Sequence, residues 1–181
     1  MGTIRVHEFM SLDGVVDAPT WTMEYGFDPR MGAALAGVME GCDAILLGRT
    51  TFEMFEPAWS VRTAEEDPGA PFFNGTMKYV VSSTLKETTW RNSQVLGPYD
   101  AGTIRRFKDG IDGGIYISGS GTLVRALLKD GLVDELNLIV YPVTMQGTNR
   151  LFDGTPSTKW SLARSETYDN GVLYLNYAKA A

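Results

Sequence analysis

The 181-residue sequence holds one cysteine and one histidine. A single thiol, Cys42, excludes an internal disulfide and fits a reducing compartment. A single histidine, His7, leaves no second histidine and no cysteine cluster from which to build a metal or nucleophile site. No apolar run reaches the length of a membrane span, and the first residues lack the basic and apolar regions of a signal peptide. A soluble, cytoplasmic protein is therefore expected, with no membrane partner. Basic residues are also scarce: 16 Lys and Arg stand against 22 Asp and Glu, for a net charge of -6. That balance argues against nucleic acid as the main partner. Repeats, low-complexity tracts and evident linkers are absent too, and the length suits one domain over residues 1–181 with a full core.

Against these absences stands one informative stretch, Gly114 to Gly131. Ile115, Tyr116 and Ile117 form a short run with strong strand preference. Four small residues, Ser118 to Gly121, follow. From Thr122 onward Leu123, Val124, Leu127 and Leu128 fall on one helical face, and Gly131 supplies a stop. Strand, tight glycine turn and helix leave unpaired backbone N–H groups at a positive helix terminus, where an anion such as phosphate can sit. A plain strand-to-helix turn would use the same residues. The stretch also departs from the dinucleotide fingerprint, since Val124 stands at the third glycine position and Val140 and Tyr141 stand where a ribose-binding acid is expected.

The pattern recurs along the chain. Ile4, Val6 and Phe9 suggest a first strand ending in Ser11-Leu12-Asp13-Gly14. Asp28-Pro29 is a helix start with an N-cap acid and proline at the first helical position. Met31, Leu35, Val38 and Met39 mark that helix's buried face. Asp43 to Leu47 is apolar almost throughout, as a strand covered on both faces would be. Gly48-Arg49-Thr50-Thr51 then opens a second helix and carries a cation. Residues 57–76 look irregular. Lys78 to Val81 is a strand that opens into Ser82-Ser83-Thr84, and Ala101 to Lys108 is a helix. Strands dominate after about Leu132, where Asp169-Asn170-Gly171 joins two β-rich runs as a hairpin.

The order predicts an α/β fold of three layers: a mostly parallel sheet, helices on both faces, and a C-terminal antiparallel hairpin. Ser11, Gly48, Ser82 and Gly119 each lie where a strand finishes. In a parallel sheet they share one rim, where ligands of such folds bind.

At this point the chain resembles the dihydrofolate-reductase-like superfamily, and within it the bacterial proteins similar to the reductase (RibD C-terminal) domain of riboflavin biosynthesis. The resemblance rests on Ser11-Leu12-Asp13-Gly14, Leu46-Leu47-Gly48-Arg49-Thr50-Thr51-Phe52-Glu53, Val81-Ser82-Ser83-Thr84-Leu85, Ile117-Ser118-Gly119-Ser120-Gly121 and Leu132-Val133-Asp134-Glu135-Leu136, in that order. It implies an NADPH-dependent oxidoreductase passing hydride to a pterin, pyrimidine or similar heterocycle. The alternative is a non-catalytic nucleotide-binding or structural protein that keeps the fold.

The resemblance also implies roles for particular residues. Gly48, Arg49 and Thr50 would hold a phosphate of the adenosine half, and Ser82 and Ser83 would meet the ribose and its 2′-phosphate. Gly119, Ser120, Gly121, Thr122 and Leu123 would cradle the pyrophosphate. Asp13 and Asp28 are the candidate catalytic acids, each with a structural alternative: Asp13 as a turn residue and Asp28 as an N-cap. Trp21, Tyr25 and Phe27 would stack on the substrate ring, or else pack on the core. Relatives are often dimers, and Tyr141, Leu151 and Phe152 would supply such a face. The loop from Gly14 to Tyr25 takes the place of the reductases' lid.

Overall fold

A computed structural model describes residues 1–17 and 19–180. The chain runs through β1 (Thr3–Ser11), a 3-10 helix (Thr20–Tyr25), α1 (Pro29–Met39), β2 (Cys42–Gly48), α2 (Arg49–Trp59), α3 (Ala70–Gly75) and β3 (Met77–Val81). It continues through β4 (Ser93–Gly97), α4 (Ala101–Asp109), β5 (Gly114–Ser118), α5 (Gly121–Lys129), β6 (Glu135–Tyr141), β7 (Trp160–Thr167) and β8 (Leu173–Lys179). The strands form one sheet in the order β4-β3-β2-β5-β1-β6-β8-β7. From β4 to β6 every pairing is parallel, and β8 and β7 add antiparallel.

Alternation along the strands divides the core into two layers. Ile4 and Val6 of β1, Leu46 of β2 and Ile117 of β5 face α4 and α5, against Ile104, Val124 and Leu127. Ile45, Leu47, Val80 and Tyr116 face the other way, against Met31 and Val38 of α1, Phe52 of α2 and Phe73 of α3. Both faces of β2 are thus covered, which is why its sequence lacks polar alternation. Asp28 caps α1 as expected, its Oδ1 accepting from the Arg30 amide at 2.8 Å. The Asn170-Gly171 hairpin forms with Gly171 at φ +81°.

Two expectations are corrected. The stretch 57–76 is not irregular throughout, because α2 continues through Pro57 to Trp59 and α3 occupies Ala70–Gly75. Tertiary packing overrides the local signals there. Phe73 is buried and stacks on Trp59 with ring centroids 4.2 Å apart, a burial that contributes about 1.5–3 kcal/mol. Lys78 Nζ then closes α3 by donating to the carbonyls of Phe73 and Thr76 at 2.7 and 2.9 Å. Secondly, Tyr141 and Leu151 are buried inside the protomer and can offer no face to a second copy, leaving only Phe152 exposed of those three. Among the described residues no helix is long and apolar enough to cross a membrane.

Candidate functional site

A cleft of about 850 Å³ opens at the carboxyl ends of the parallel strands. Its origin is a break in the sheet. The central neighbours β2 and β5 pair only as far as Ile45↔Tyr116. Beyond that point Leu46, Leu47 and Gly48 pair with β3 alone, while β5 stays with β1 up to His7↔Ser118. The chain leaves β2 into α2 on one face and leaves β5 into α5 on the other. This is the topological switch point where an open α/β sheet presents a crevice.

Both walls begin at helix N-termini with no side-chain cap. By contrast α1 and α4 are capped by Asp28 and Asp100. The first amides of α2 and α5 are therefore left for a ligand or water to satisfy. The turn into α5 sharpens the point. Gly119 and Ser120 both have positive φ, +60° and +62°. A non-glycine residue in that region costs on the order of 1 kcal/mol or more and marks functional turns. Ser120 is held there in part by its Oγ, which accepts from the Gly48 amide at 2.9 Å and so ties the two walls together. Successive amides in such a turn form an anion-binding concavity. A Cβ at Gly121 would come within 3.2 Å of Val16, so glycine keeps this edge of the cradle open.

All ten residues expected at the coenzyme line this cleft: Gly48, Arg49 and Thr50; Ser82 and Ser83; and Gly119 to Leu123. Arg49 is half-exposed and reaches back to Glu53 at 2.9 Å, an i,i+4 pair. The Ser82 hydroxyl is already used within the fold, accepting from the amides of Thr84 and Leu85 at 3.1 and 2.9 Å. Ser83 is the exposed member of the pair.

The five residues expected at catalysis and substrate are not brought to the cleft lining. Asp13 clamps two loops: Oδ1 accepts from the Ser11 hydroxyl at 2.7 Å and the Met145 amide at 3.0 Å, and Oδ2 from the Gln146 amide at 2.9 Å. Those bonds, the Ser11 one foremost, hold its pKa down to about 2. Asp28 is gripped by the guanidinium and amide of Arg30, which lower its pKa. Trp21 and Tyr25 both meet Tyr141 edge-on, with centroids 5.3 and 5.4 Å away. Phe27 is exposed.

The cleft instead recruits residues that sequence reasoning misses. Phe9, Met54 and Phe55 give it an apolar wall, and Asp17 and Asn149 close one end. Asn149 Nδ2 donates to Asp17 Oδ1 at 2.8 Å, so the loop after β1 is joined to the loop before Arg150. Glu8, from β1, also lines the cleft. Its carboxyl is almost wholly buried, and burial pushes its pKa up to about 8, only partly opposed by Arg125. A signal for Glu8 does exist in the sequence. It interrupts the apolar face set by Ile4 and Val6 at the next alternate position.

The rim cleft and the switch point belong to an open, mostly parallel α/β sheet, and superposition on solved structures identifies the fold as dihydrofolate-reductase-like. The sequence matches the RibD C-terminal domain model over residues 2–174, and the chain belongs to that family. Solved structures agree on the fold. A protein assigned to riboflavin biosynthesis from Shewanella sp. PV-4 superposes with a TM-score of 0.78 at 20% identity, covering 99% of both chains. A pyrimidine reductase-like protein from Corynebacterium diphtheriae has a TM-score of 0.62 at 16% identity over 99% of this chain and 92% of its own. Dihydrofolate reductase from Enterococcus faecalis, solved with NADP(H), has a TM-score of 0.66 at 16% identity over 99% and 98%. No curated protein matches the sequence.

Proposed function

We propose that the protein is an NADPH-dependent oxidoreductase that reduces a pterin, pyrimidine or related heterocycle. The observation that carries this reading is the convergence of two uncapped helix N-termini, the positive-φ turn at Gly119-Ser120 and the Arg49 guanidinium on one cleft. Those donors suit a pyrophosphate and a further phosphate. Gly119, Ser120 and Gly121 would receive the pyrophosphate on backbone amides, with Thr122 and Leu123 supplying the first turn of α5 behind it. Arg49 would leave Glu53 to fork onto the 2′-phosphate, with Gly48, Thr50 and Ser83 beside it. Ser82 acts through the loop that its hydroxyl shapes.

When bound, the nicotinamide supplies hydride, and the chain's part is to position, exclude water and handle protons. Phe9, Met54 and Phe55 offer the apolar surface against which a flat ring would lie. Asp13 serves by clamping the turn after β1 to the Met145-Gln146 loop, and Asp28 by capping α1.

Fluorescence titration of the protein with NADPH and with NADH tests the reading. Tighter binding of NADPH is expected, because only it carries the 2′-phosphate that Arg49 can fork. Failure of both coenzymes to bind overturns it.

A further inference from the structure

Glu8 is the one carboxylate in the cleft lining that comes from the sheet itself, and the pairing of β1 with β5 ends one residue before it, at His7↔Ser118. Its side chain is 3% exposed, and Oε1 is buried with no hydrogen-bond partner among the described residues. An ionised carboxylate left so would forfeit its hydration with nothing in exchange. A structural role would show partners, as Asp13 and Asp28 do.

The groups packed around Glu8 do not supply one. From α5, Arg125 acts on it only through space, its guanidinium being taken by Asn149 Oδ1, the Arg150 carbonyl at 3.1 Å and Thr122 Oγ1 at 3.3 Å. From β5, Tyr116 is neutral, with its pKa raised chiefly by burial and secondarily by neighbours that include Glu8. On β6 the paired residue is Leu138. Asp17, Arg49 and Tyr99 are the other charged or titratable groups in the lining, and Asp17 is held by Asn149.

We propose that Glu8 is a catalytic residue, the general acid that touches the bound heterocycle and delivers its proton as hydride arrives from the reduced nicotinamide. This assignment rests on the coenzyme reading above. The hydride brings an electron pair to the ring carbon of a C=N bond. The π pair moves to nitrogen, which takes the proton of Glu8, giving C–H and N–H. The coenzyme is left oxidised with a cationic ring, and Glu8 is left as carboxylate until a solvent proton restores it. Two opposite charges thus appear together in one buried site and offset each other. A neutral acid ready near pH 7 is what such a step requires.

The same pairing of charges gives a test without turnover. Because ionised Glu8 stabilises the cationic ring, affinity for NADP⁺ rises with pH as Glu8 loses its proton, while affinity for NADPH does not. Isothermal titration of wild type and Glu8→Gln with both coenzymes between about pH 6 and 9 reads this directly. The expected result is an increase in NADP⁺ affinity of about tenfold in wild type relative to Glu8→Gln, one pKa unit of coupling. Ionisation of the 2′-phosphate is common to both proteins and cancels.

Carbon-13 carboxyl NMR on the wild type, with Glu8 assigned by its loss in the variant, gives the second readout. Its midpoint should lie well above the ordinary glutamate range and fall on addition of NADP⁺. Binding of NADP⁺ with parallel pH profiles in the two proteins, or a Glu8 midpoint unmoved by NADP⁺, removes Glu8 from catalysis and leaves the coenzyme reading standing. No binding of either coenzyme to wild type overturns both. If Glu8→Gln does not fold, the wild-type midpoint with and without NADP⁺ decides, Glu8 then being assigned from Glu8→Asp.

Discussion

His7 and Glu8 are consecutive in β1, point to opposite faces of the sheet, and are each 3% exposed. His7 Nδ1 lies 3.1 Å from the Tyr116 hydroxyl and 3.3 Å from the Ser118 hydroxyl. Burial moves both neighbours toward neutrality: His7 falls to a pKa of about 4 and Glu8 rises to about 8. Near pH 7 the strand therefore carries an uncharged imidazole and a protonated carboxyl into the end of the sheet.

The His7 half of this relationship predicts a pH dependence of stability. Between pH 6.5 and about 4 the unfolded chain binds a proton at His7 that the folded chain refuses. Stability owed to His7 is thus full above pH 6.5 and declines as the pH falls through that window. His7→Gln removes the decline. Urea unfolding at pH 7 and pH 4 should show the variant gaining on wild type by on the order of 3 kcal/mol as the pH drops. A pH-independent difference between the two proteins would contradict this.

Arg49→Ala should weaken NADPH by about 10- to 100-fold, the loss of a charge-assisted fork onto phosphate. NADH should change far less. The fold should hardly notice, since the Arg49–Glu53 pair is 46% exposed on both sides and such pairs contribute under about 1 kcal/mol. Titration of both coenzymes together with a melting curve separates the two effects. Equal weakening of both coenzymes would place the guanidinium elsewhere than at the 2′-phosphate.

Ser120→Ala keeps the strained φ and deletes the acceptor of the Gly48 amide. Lost stability of about 1–2 kcal/mol is expected in urea unfolding. Coenzyme affinity should fall with it, because the two walls of the cleft are no longer tied. A variant as stable as wild type would mean that water replaces the hydroxyl at no cost.

Asp13→Asn tests whether the expected acid is instead a clamp. Its oxygens accept from Ser11, Met145 and Gln146, and an amide nitrogen in either place would face a donor. The melting temperature should fall, and NADPH affinity should stay within about twofold of wild type. In wild type the stabilisation from Asp13 is present above its unfolded pKa of 3.8 and is lost as the pH falls toward about 2. An unchanged melting temperature in the variant would argue against the clamp.

Much of the fold is legible in the sequence for a local reason. Strands β2 and β5 end in small residues and each leads straight into a helix, and β3 opens into Ser82-Ser83, so Gly48, Ser82 and Gly119 announce the rim before any contact is known. The residues that escape such reading depend on partners distant in the chain. Trp21 and Tyr25 read in the sequence as aromatics on a loop, and only the position of Tyr141 decides that the 3-10 helix they form turns them inward. Asp17 and Asn149 become neighbours through a contact spanning 132 residues. Glu8 is the intermediate case: its place on an apolar strand face is visible, but its lack of partners is a property of the folded molecule.

The parting of β2 from β5 assigns the two sides of the cleft to different cores. Arg49 and Thr50 ride on the helix anchored by Phe52, whereas Gly121 and Thr122 ride on the helix anchored by Val124 and Leu127. Repacking beneath α2 acts first on Arg49 and Thr50, and reaches Gly121 and Thr122 through the Ser120–Gly48 hydrogen bond. A groove founded on two cores lets the side that carries Met54 and Phe55 vary in shape while the side that carries the positive-φ turn at Gly119-Ser120 is kept.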